Sequence, residues 1–434
     1  MKRTASRGSR YNLLVGAVLV VGAVASLAAL ARPAHATAKA GTTLTVWEAQ
    51  TEVAAAKTAF ARYHQVTGVK INQVVIPDPY ESNVLTKIAA GQRPDILFWQ
   101  PTRGELSVLN ASKVLQPLDG EPYLKKEPKT ITKYAGSVSG HTYAAIFGSP
   151  AIIGVWYNVQ NFQKAGITSI PQNFAQFKAA AAKLKAAGIT PLYDAGADKW
   201  PTQWLVDSLM AEAWSKGGLA QKLNTNKGTF SDPRFLNAVQ QYKALIDAHY
   251  YNSDISSGTF NAQSDALYDG SVGMIVQGPY TASYLQTKYS TAQIDQRIRF
   301  FGLSGQGNSP SYVLDQTGAF VLPKTGDATR QAAAKRFLRW FMGAHYKTYV
   351  RQSRAYPGLV GYKAPAGVPK SVIQANADNA KNGLPLMQMV LDVIPDIHIY
   401  LSEMIAGALT PQGVADKMTQ QFNQLAKAEH LPGF

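Results

Sequence analysis

The sequence predicts an α/β protein of parallel β-α-β units, divided into two domains. Strand-like and helix-like segments alternate from residue 43 to residue 101, and this alternation implies parallel strands with helices on both faces of a sheet. The chain has 434 residues, more than the ~250–300 that one hydrophobic core usually serves. Its 46% hydrophobic and 16% charged residues are typical of a globular protein.

The first five elements carry the clearest patterns. Residues 44–47 form an apolar run, and residues 69–76 alternate and are rich in β-branched side chains, so both are predicted strands. Residues 51–67 and 81–90 have apolar side chains at helical spacing, each followed by a glycine that can end the helix. Residues 96–99 then form a short apolar strand.

The rest of the chain continues the mixture of strands and helices. Residues 104–118 are predicted to form a helix followed by a short edge segment. Further strands are predicted at 142–147, 152–157, 190–193, 272–276, 298–303 and 318–323, and further helices at 174–187, 205–216, 233–249, 264–269 and 328–343, with helices also from 371 to about 431. Breaks in the pattern at 148–150, 298–303 and 354–358 are predicted to be crossings between the two domains.

The amino terminus predicts export. Residues 2–10 are basic, residues 11–31 are uncharged and mostly apolar, and Ala34-His35-Ala36 is an A-x-A cleavage site. We therefore expect a signal peptide over residues 1–36, with residues 38–40 as a second site for cleavage. The apolar run approaches the ~20 residues that span a bilayer, so a retained anchor is the alternative.

Composition limits the chemistry. The formal charge is +16, and the five basic residues of the leader leave +11 for the remainder. These charges are spread along the chain rather than grouped in a basic block with aromatics, which favours a solvated basic surface over nucleic-acid binding. The absence of cysteine excludes disulfides, thiolate metal sites and lipid-modified cysteine.

No pattern indicates catalysis, a metal or a cofactor. The seven histidines are scattered without the spacing of metal ligands. The sequence lacks a Gly-x-Ser-x-Gly elbow, a His-Glu-x-x-His pair and a phosphate-binding Gly-x-x-x-x-Gly-Lys loop. None of the 27 acidic residues has a context that marks a glycosidase pair. We therefore expect a binding protein rather than an enzyme.

Aromatic and polar side chains follow the predicted strands where ligands bind in parallel sheets, outside the carboxyl ends. In the amino-terminal part these pairs are Trp47-Glu48, Tyr80-Glu81 and Trp99-Gln100.

The order of several motifs is similar to that of the extracellular solute-binding proteins of ABC importers, in the carbohydrate-binding group that includes maltodextrin-binding protein. The matching pieces are Leu44-Thr-Val-Trp47, Tyr63 to Ile71, Ala89 to Trp99, Trp156-Tyr157-Asn158, Phe162 to Ile167, Phe177 to Gly188, Gly273 to Tyr280, Ala333 to Phe341 and Gly407 to Pro411. Each motif is weak alone, but together they run in the family's order from about residue 42 to 425.

The resemblance implies a two-lobed periplasmic-binding-protein-like fold. Each lobe would be a mostly parallel sheet flanked by helices, with three crossings of the chain forming a hinge. The amino-terminal lobe would comprise residues 41–149 and 303–353, and the carboxy-terminal lobe residues 150–302 and 354–434. The protein would be a monomer without cofactor, held at the membrane only by its permease or by a retained anchor.

The resemblance also implies the function: capture of a carbohydrate, an oligosaccharide, in the interlobe cleft by hinge closure, and delivery to the transmembrane subunits of an ABC permease. It would work in the periplasm or on the outer face of the membrane. A polyol or a phosphorylated glycerol compound is the alternative ligand. Other readings are a sensor subunit for a membrane receptor, an extracellular carbohydrate-active enzyme and an adhesin for anionic polymers.

The sugar ligand that the resemblance implies needs flat aromatic platforms and planar polar groups. The candidate site residues are of these types, and the resemblance itself implies two of them: Trp99, where the family places an aromatic side chain, and Tyr280, which matches its Gly-Pro-aromatic turn. The candidates are Trp47, Glu48, Gln50, Tyr80, Glu81, Trp99 and Gln100 in the first lobe and Trp200, Gln203, Trp204, Tyr280, Asp315, Tyr356 and Gly358 elsewhere. Each has a structural alternative: core packing for Trp99, Trp200 and Trp204, a first-turn helix charge for Glu81, and a hinge role for Tyr356.

Overall fold

A computed structural model describes residues 42–49, 53–77, 80–314 and 318–434, without the side chains of residues 53–56. These residues fall in one contact-defined unit, residues 38–434. The predicted signal peptide and the candidates Gln50 and Asp315 lie outside the described residues.

The strands of the described residues form two larger sheets and one short hairpin. They are β1 (Thr43–Ala49), β2 (Lys70–Ile76), β3 (Ile96–Phe98), β4 (Ser137–Val138), β5 (His141–Thr142), β6 (Ala144–Ile146), β7 (Ala151–Asn158), β8 (Thr190–Leu192), β9 (Val272–Gln277), β10 (Ile298–Phe301), β11 (Ser311–Val313), β12 (Ala319–Val321) and β13 (Leu384–Pro385).

Helices cover both sheets. They are α1 (Val53–Thr67), α2 (Tyr80–Ala89), α3 (Arg103–Val108), α4 (Ala111–Val114), α5 (Lys129–Thr132), α6 (Val159–Lys164), α7 (Phe174–Ala186), α8 (Gln203–Ser215), α9 (Leu219–Asn224), α10 (Pro233–Asp247), α11 (Phe260–Asp269), α12 (Tyr280–Leu285), α13 (Thr291–Arg297), α14 (Ala328–Trp340), α15 (Tyr346–Ser353), α16 (Lys370–Asn382), α17 (Met387–Val390), α18 (Ile397–Ile405) and α19 (Pro411–Ala428). Two 3-10 turns (Pro122–Lys126 and Trp200–Thr202) and a π-helix (Phe341–His345) complete the described set.

The first sheet has the order β2-β1-β3-β12-β6. Strand β1 runs parallel to β2 and β3, which confirms the β-α-β unit predicted for the start of the chain. Strand β12 is antiparallel to both of its neighbours, so the sheet is mixed. Helices α1 and α14 meet through aromatic rings, with Phe60 and Tyr63 5.5 and 5.1 Å from Phe337.

The second sheet has the order β13-β11-β7-β9-β8, and β10 also pairs with β7. Strand β7 is antiparallel to β9, β10 and β11, whereas β8–β9 and β11–β13 are parallel pairs. This sheet is therefore mixed too. Its core includes Trp156, whose indole N–H donates to the carbonyl of Gln277 at 2.8 Å.

The segment predicted as the second crossing does not leave the second sheet. Strand β10 pairs with the carboxyl half of β7, and β11 pairs with its amino half. The chain thus reaches the first sheet only between Val313 and Ala319, after β11. Residues 311–313 therefore lie in the second sheet, whereas the predicted limits placed them in the amino-terminal lobe. The helix predicted within residues 104–118 is divided into α3 and α4, because Asn110 between them takes a left-handed conformation. The segment after α4, predicted as a short edge segment, forms an isolated antiparallel bridge between Leu115 and Pro323.

The first and third predicted crossings meet in space. Gly148 forms an isolated antiparallel bridge with Pro357. A Cβ at Gly358 would lie 2.2 Å from the carbonyl oxygen of Gly148, so this approach requires glycine. The Tyr346 hydroxyl donates to the Phe147 carbonyl at 2.6 Å and accepts the N–H of Gly358 at 2.8 Å. One buried tyrosine thus joins both segments.

Within the described part of the chain, no helix is long and apolar enough to cross a membrane.

Candidate ligand-binding site

A cavity of about 710 Å³ opens where the two sheets approach each other. Its wall includes Ala151 and Val313 from the second sheet and Gly318, which directly precedes the β12 strand of the first. Ser149, in the segment that joins β6 to β7, also lines it. The cavity therefore lies beside the segments that connect the sheets.

Four aromatic side chains form one side of the cavity, and we call Trp200, Trp204, Phe260 and Tyr280 the aromatic cluster. Trp200 is its centre: its ring centroid lies 5.2 Å from that of Phe260, 5.3 Å from Tyr280 and 6.3 Å from Trp204. The Trp200–Tyr280 planes are nearly perpendicular, at 85°. Edge-to-face contacts of this kind stabilise a rigid aromatic surface.

The local sequence explains where two of these rings lie. Trp200 begins the 3-10 turn that leads into α8, with Pro201 at its second position. Tyr280 begins α12 directly after β9 and the Gln277-Gly278-Pro279 turn. A Cβ at Gly278 would lie 2.5 Å from Tyr280 Cζ, so glycine there leaves space for the ring.

Neutral polar groups accompany the aromatic cluster. The Gln203 amide donates to the Trp200 carbonyl at 2.9 Å, and its oxygen accepts from Gln388 Nε2 at 3.1 Å. The Trp204 indole N–H is buried and has no hydrogen-bond partner among the described residues. An unpaired buried donor is costly, so a ligand oxygen that reached this N–H would satisfy it.

A buried acid lies behind this wall. Asp207 is fully buried one helical turn after Gln203, and its Oδ2 accepts a 3.4 Å hydrogen bond from Gln388. Burial raises the pKa of Asp207 to about 7, with the Gln388 hydrogen bond opposing the shift. Gln388 thus links a carboxyl group that titrates near neutral pH to a side chain on the cavity wall.

Residues 349–356 bring a tyrosine, an arginine and a second tyrosine to the wall. Tyr349 lies on α15 and packs its ring 5.0 Å from Phe341. Arg354 follows the helix with a left-handed backbone (φ 52°), and Tyr356 comes two residues later. Tyr356 is half-buried, and burial raises the pKa of its hydroxyl.

Five of the predicted site residues line this cavity: Trp200, Gln203, Trp204, Tyr280 and Tyr356. Gly358 is buried at the crossing beside Gly148 rather than on the wall.

The predicted residues of the first sheet lie elsewhere. Trp47, Glu48 and Tyr80 are buried in its core, and the Glu48 carboxylate accepts from Gln73 at 2.6 Å. Glu81 and Gln100 bond to each other at 3.1 Å. They are not on the cavity wall because the side chains at these strand ends turn into contacts within their own lobe.

Trp99 is the clearest case of core packing. Its side chain is 1% exposed, its indole N–H donates to the Glu105 carbonyl at 3.0 Å, and its ring lies 6.4 Å from Tyr80. Helix α3 covers the end of β3, which removes this indole from the cavity.

Sequence reasoning missed Ser149, Phe260, Tyr349, Arg354 and Asn376, which also line the cavity. The Ser149 hydroxyl donates to Asn376 Oδ1 at 2.7 Å across 227 positions of sequence. No local pattern signals such a pair. The break at 354–358 did mark the position of Arg354, but only as a crossing.

Comparison with known proteins identifies the class. Residues 56–368 match the bacterial extracellular solute-binding protein family, and the chain belongs to that family. This confirms the predicted family and indicates an exported protein. It also agrees with the prediction that the protein binds its ligand rather than transforming it.

Individual relatives are more distant. An uncharacterized ABC transporter extracellular-binding protein of Pyrococcus horikoshii is 26% identical over 256 residues, covering 57% of this chain and 54% of the relative. The chain thus spans about half the length of the curated relatives that it matches.

Solved structures match over most of the chain. A chitin oligosaccharide binding protein aligns with a TM-score of 0.73 and 19% identity, covering 88% of this chain and 98% of that one. The binding protein RafE in complex with raffinose aligns with a TM-score of 0.69 and 18% identity, covering 88% and 99%. These likenesses confirm the two-lobed periplasmic-binding-protein-like fold.

Proposed function

We propose that this protein is the substrate-binding component of an ABC importer, which captures an oligosaccharide in the cavity and delivers it to the membrane permease. It would act in the periplasm or on the outer face of the membrane. The observation that carries the proposal is the aromatic cluster on the wall of a 710 Å³ cavity that also presents neutral polar side chains.

Sugar chemistry fits such a wall. A pyranose ring has a C–H face that packs on an aromatic ring, and hydroxyl groups that both donate and accept hydrogen bonds. Trp200 and Tyr280 offer the aromatic surfaces. Gln203 and the unpaired N–H of Trp204 offer polar partners. The volume lies within the ~300–1,000 Å³ of small-ligand sites.

The relatives support the ligand class and the transport role. The two aligned structures are named for a chitin oligosaccharide and for raffinose. The relative from Pyrococcus horikoshii is named as part of an ABC transporter.

Closure of the two lobes would be the signal to the permease. A ligand that contacts the aromatic cluster of the carboxy-terminal lobe and Tyr349 of the amino-terminal lobe would make all of its contacts only when the lobes are closed. It would therefore shift the population toward the closed form.

A thermal-shift screen of the purified protein tests the ligand class. The panel contains monosaccharides, oligosaccharides, polyols and phosphorylated glycerol compounds. A ligand that binds only the folded protein raises the melting temperature with concentration, and we expect this from oligosaccharides. A response to polyols or glycerol phosphates alone would contradict the sugar assignment. Delivery to the permease is tested separately, by measuring the uptake of labelled sugar in a strain that lacks the gene.

A further inference from the structure

Arg354 is the one charged side chain among the described residues that line the cavity. It is solvent-exposed, and it makes no hydrogen bond or ion pair with another described residue. Other arginines of the described residues do bind carboxylates: Arg330 binds Asp95, and Arg339 binds Glu121 at 2.7 and 2.9 Å. The guanidinium of Arg354 is thus available to a ligand.

The backbone directs residues 354–356 to the cavity. Arg354 ends α15 in the left-handed region, at φ 52°, which is uncommon for a residue with a Cβ. The turn brings Ala355 and Tyr356 to the wall as well. A Cβ placed on Gly367 would lie 3.8 Å from Arg354 Cδ, so the side chain runs close to the segment whose next residues, Val368 and Pro369, also line the cavity.

The remaining polar side chains on the described wall do not oppose a negative charge. They include Ser149, Gln203, Gln286 and Asn376, and none of the described wall residues is Asp or Glu. A guanidinium binds a carboxylate or a sulfate through two parallel N–H···O bonds, a geometry that neutral hydroxyl groups do not match.

The charge of the whole chain acts in the same direction. The residues after the predicted signal peptide carry a formal charge of +11. A strong positive excess raises the local concentration of anionic ligands and speeds their encounter with the protein.

From this geometry we propose that the ligand is an acidic saccharide, whose carboxylate or sulfate group is bound by Arg354 while its rings pack on the aromatic cluster. This inference rests on the proposed function and narrows its substrate class.

Calorimetric titration with matched disaccharides tests the inference. Each pair has the same linkage: digalacturonate against galactobiose, and diglucuronate against the neutral glucose disaccharide, with a sulfated galactobiose as a separate arm. We expect an acidic member to bind at least tenfold more tightly than its neutral counterpart. The preferred arm distinguishes a carboxylate from a sulfate ligand.

Arg354→Gln is the decisive variant. Glutamine has a Cβ like arginine, so the left-handed backbone at this position costs both residues about the same. We expect it to weaken binding of the acidic disaccharide about 10–100-fold, as loss of a charge-assisted pair implies, and to change neutral binding less than threefold. Arg351→Gln is the matched control: Arg351 is exposed on α15, does not line the cavity, and its loss changes the net charge equally.

Raising the salt concentration adds a second measure. The affinity for the acidic ligand should fall with ionic strength in the unaltered protein and in Arg351→Gln, and much less in Arg354→Gln.

Equal or tighter binding of the neutral members, or equal effects of Arg354→Gln and Arg351→Gln, would overturn the inference and leave the proposed function in place. Failure of every saccharide, acidic or neutral, to bind would overturn both.

Discussion

Two tryptophans that both follow strands have different surroundings. Trp200 is half-buried among three aromatic rings on the cavity wall, whereas Trp99 is 1% exposed under α3 with its N–H bonded to Glu105. Burial and hydrogen bonding, rather than residue type, thus separate a candidate ligand contact from a core residue.

Trp99→Ala should therefore act on stability. Removing a buried indole costs about 3–5 kcal/mol of unfolding free energy, and we expect a loss of this size in urea denaturation of the ligand-free protein. Affinity for a saccharide should be largely kept in the fraction that remains folded. Unchanged stability with lost affinity would show instead that Trp99 contacts the ligand.

At the scale of elements, the Tyr346 hydroxyl joins the two crossing segments. It bonds to Phe147, Gly358 and Leu359 at 2.6, 2.8 and 3.2 Å. The π-helix Phe341–His345 directly precedes α15, which carries Tyr346 to this junction and Tyr349 to the cavity.

Tyr346→Phe should loosen this junction. The substitution leaves a buried carbonyl and two buried N–H groups without their partner, which costs about 1–3 kcal/mol. Chemical denaturation should show this loss, and small-angle scattering of the ligand-free protein should show a broader distribution of shapes. Tyr362→Phe is the control, since its hydroxyl has one long 3.3 Å contact with Lys126 on the surface. Equal effects of the two variants would contradict the role of Tyr346.

The elements that sequence patterns predicted well are those whose pattern is local. The alternation of residues 43–98 is read directly from apolar spacing, and β1, β2 and β3 form as expected. The role of β10 depends on pairing with β7, about 140 positions earlier in the chain. A strand that stays in its sheet and one that crosses between lobes have the same local pattern, so residues 298–303 could not be assigned.

The site follows the same rule. The pattern of aromatic and polar residues predicted Trp200, Gln203, Trp204 and Tyr280, which all line the cavity. These residues lie at or near the starts of helices that follow strands, and a local pattern can mark such positions. Arg354 and Asn376 reach the wall from distant segments. Trp99 lies off the cavity wall because α3 packs over it, and the sequence does not reveal that packing.

At the scale of the whole molecule, buried acids should set the pH dependence of stability. Burial raises the pKa of Asp194 to about 6, of Asp207 to about 7 and of Glu127 to about 8. Each group binds its proton more tightly in the folded protein. Its contribution to stability is thus fully present below the unfolded pKa of ~4 and is lost as pH rises through the folded pKa.

Asp207→Asn should remove one part of this dependence. Between about pH 5 and pH 8 the unaltered protein should lose about 2–3 kcal/mol more unfolding free energy than the variant, from the shift of this carboxyl alone. Denaturant titrations at both pH values measure the difference. Asp416→Asn is the control at an exposed position, and its unfolding free energy should change with pH as in the unaltered protein. A parallel pH dependence of Asp207→Asn and the unaltered protein would refute the assignment.

The central prediction is that a saccharide binds against the aromatic cluster. The most direct test is calorimetric titration of Trp200→Ala and Trp340→Ala with the saccharide that gives the largest thermal shift. Both indoles are half-buried, but Trp340 stacks on His345 away from the cavity. We predict that Trp200→Ala weakens binding at least tenfold, because an aromatic ring that packs on the ligand contributes about 1–3 kcal/mol of binding free energy. Trp340→Ala should lower the stability of the protein and leave its affinity unchanged. Full affinity in Trp200→Ala would contradict the assignment of this cavity as the binding site.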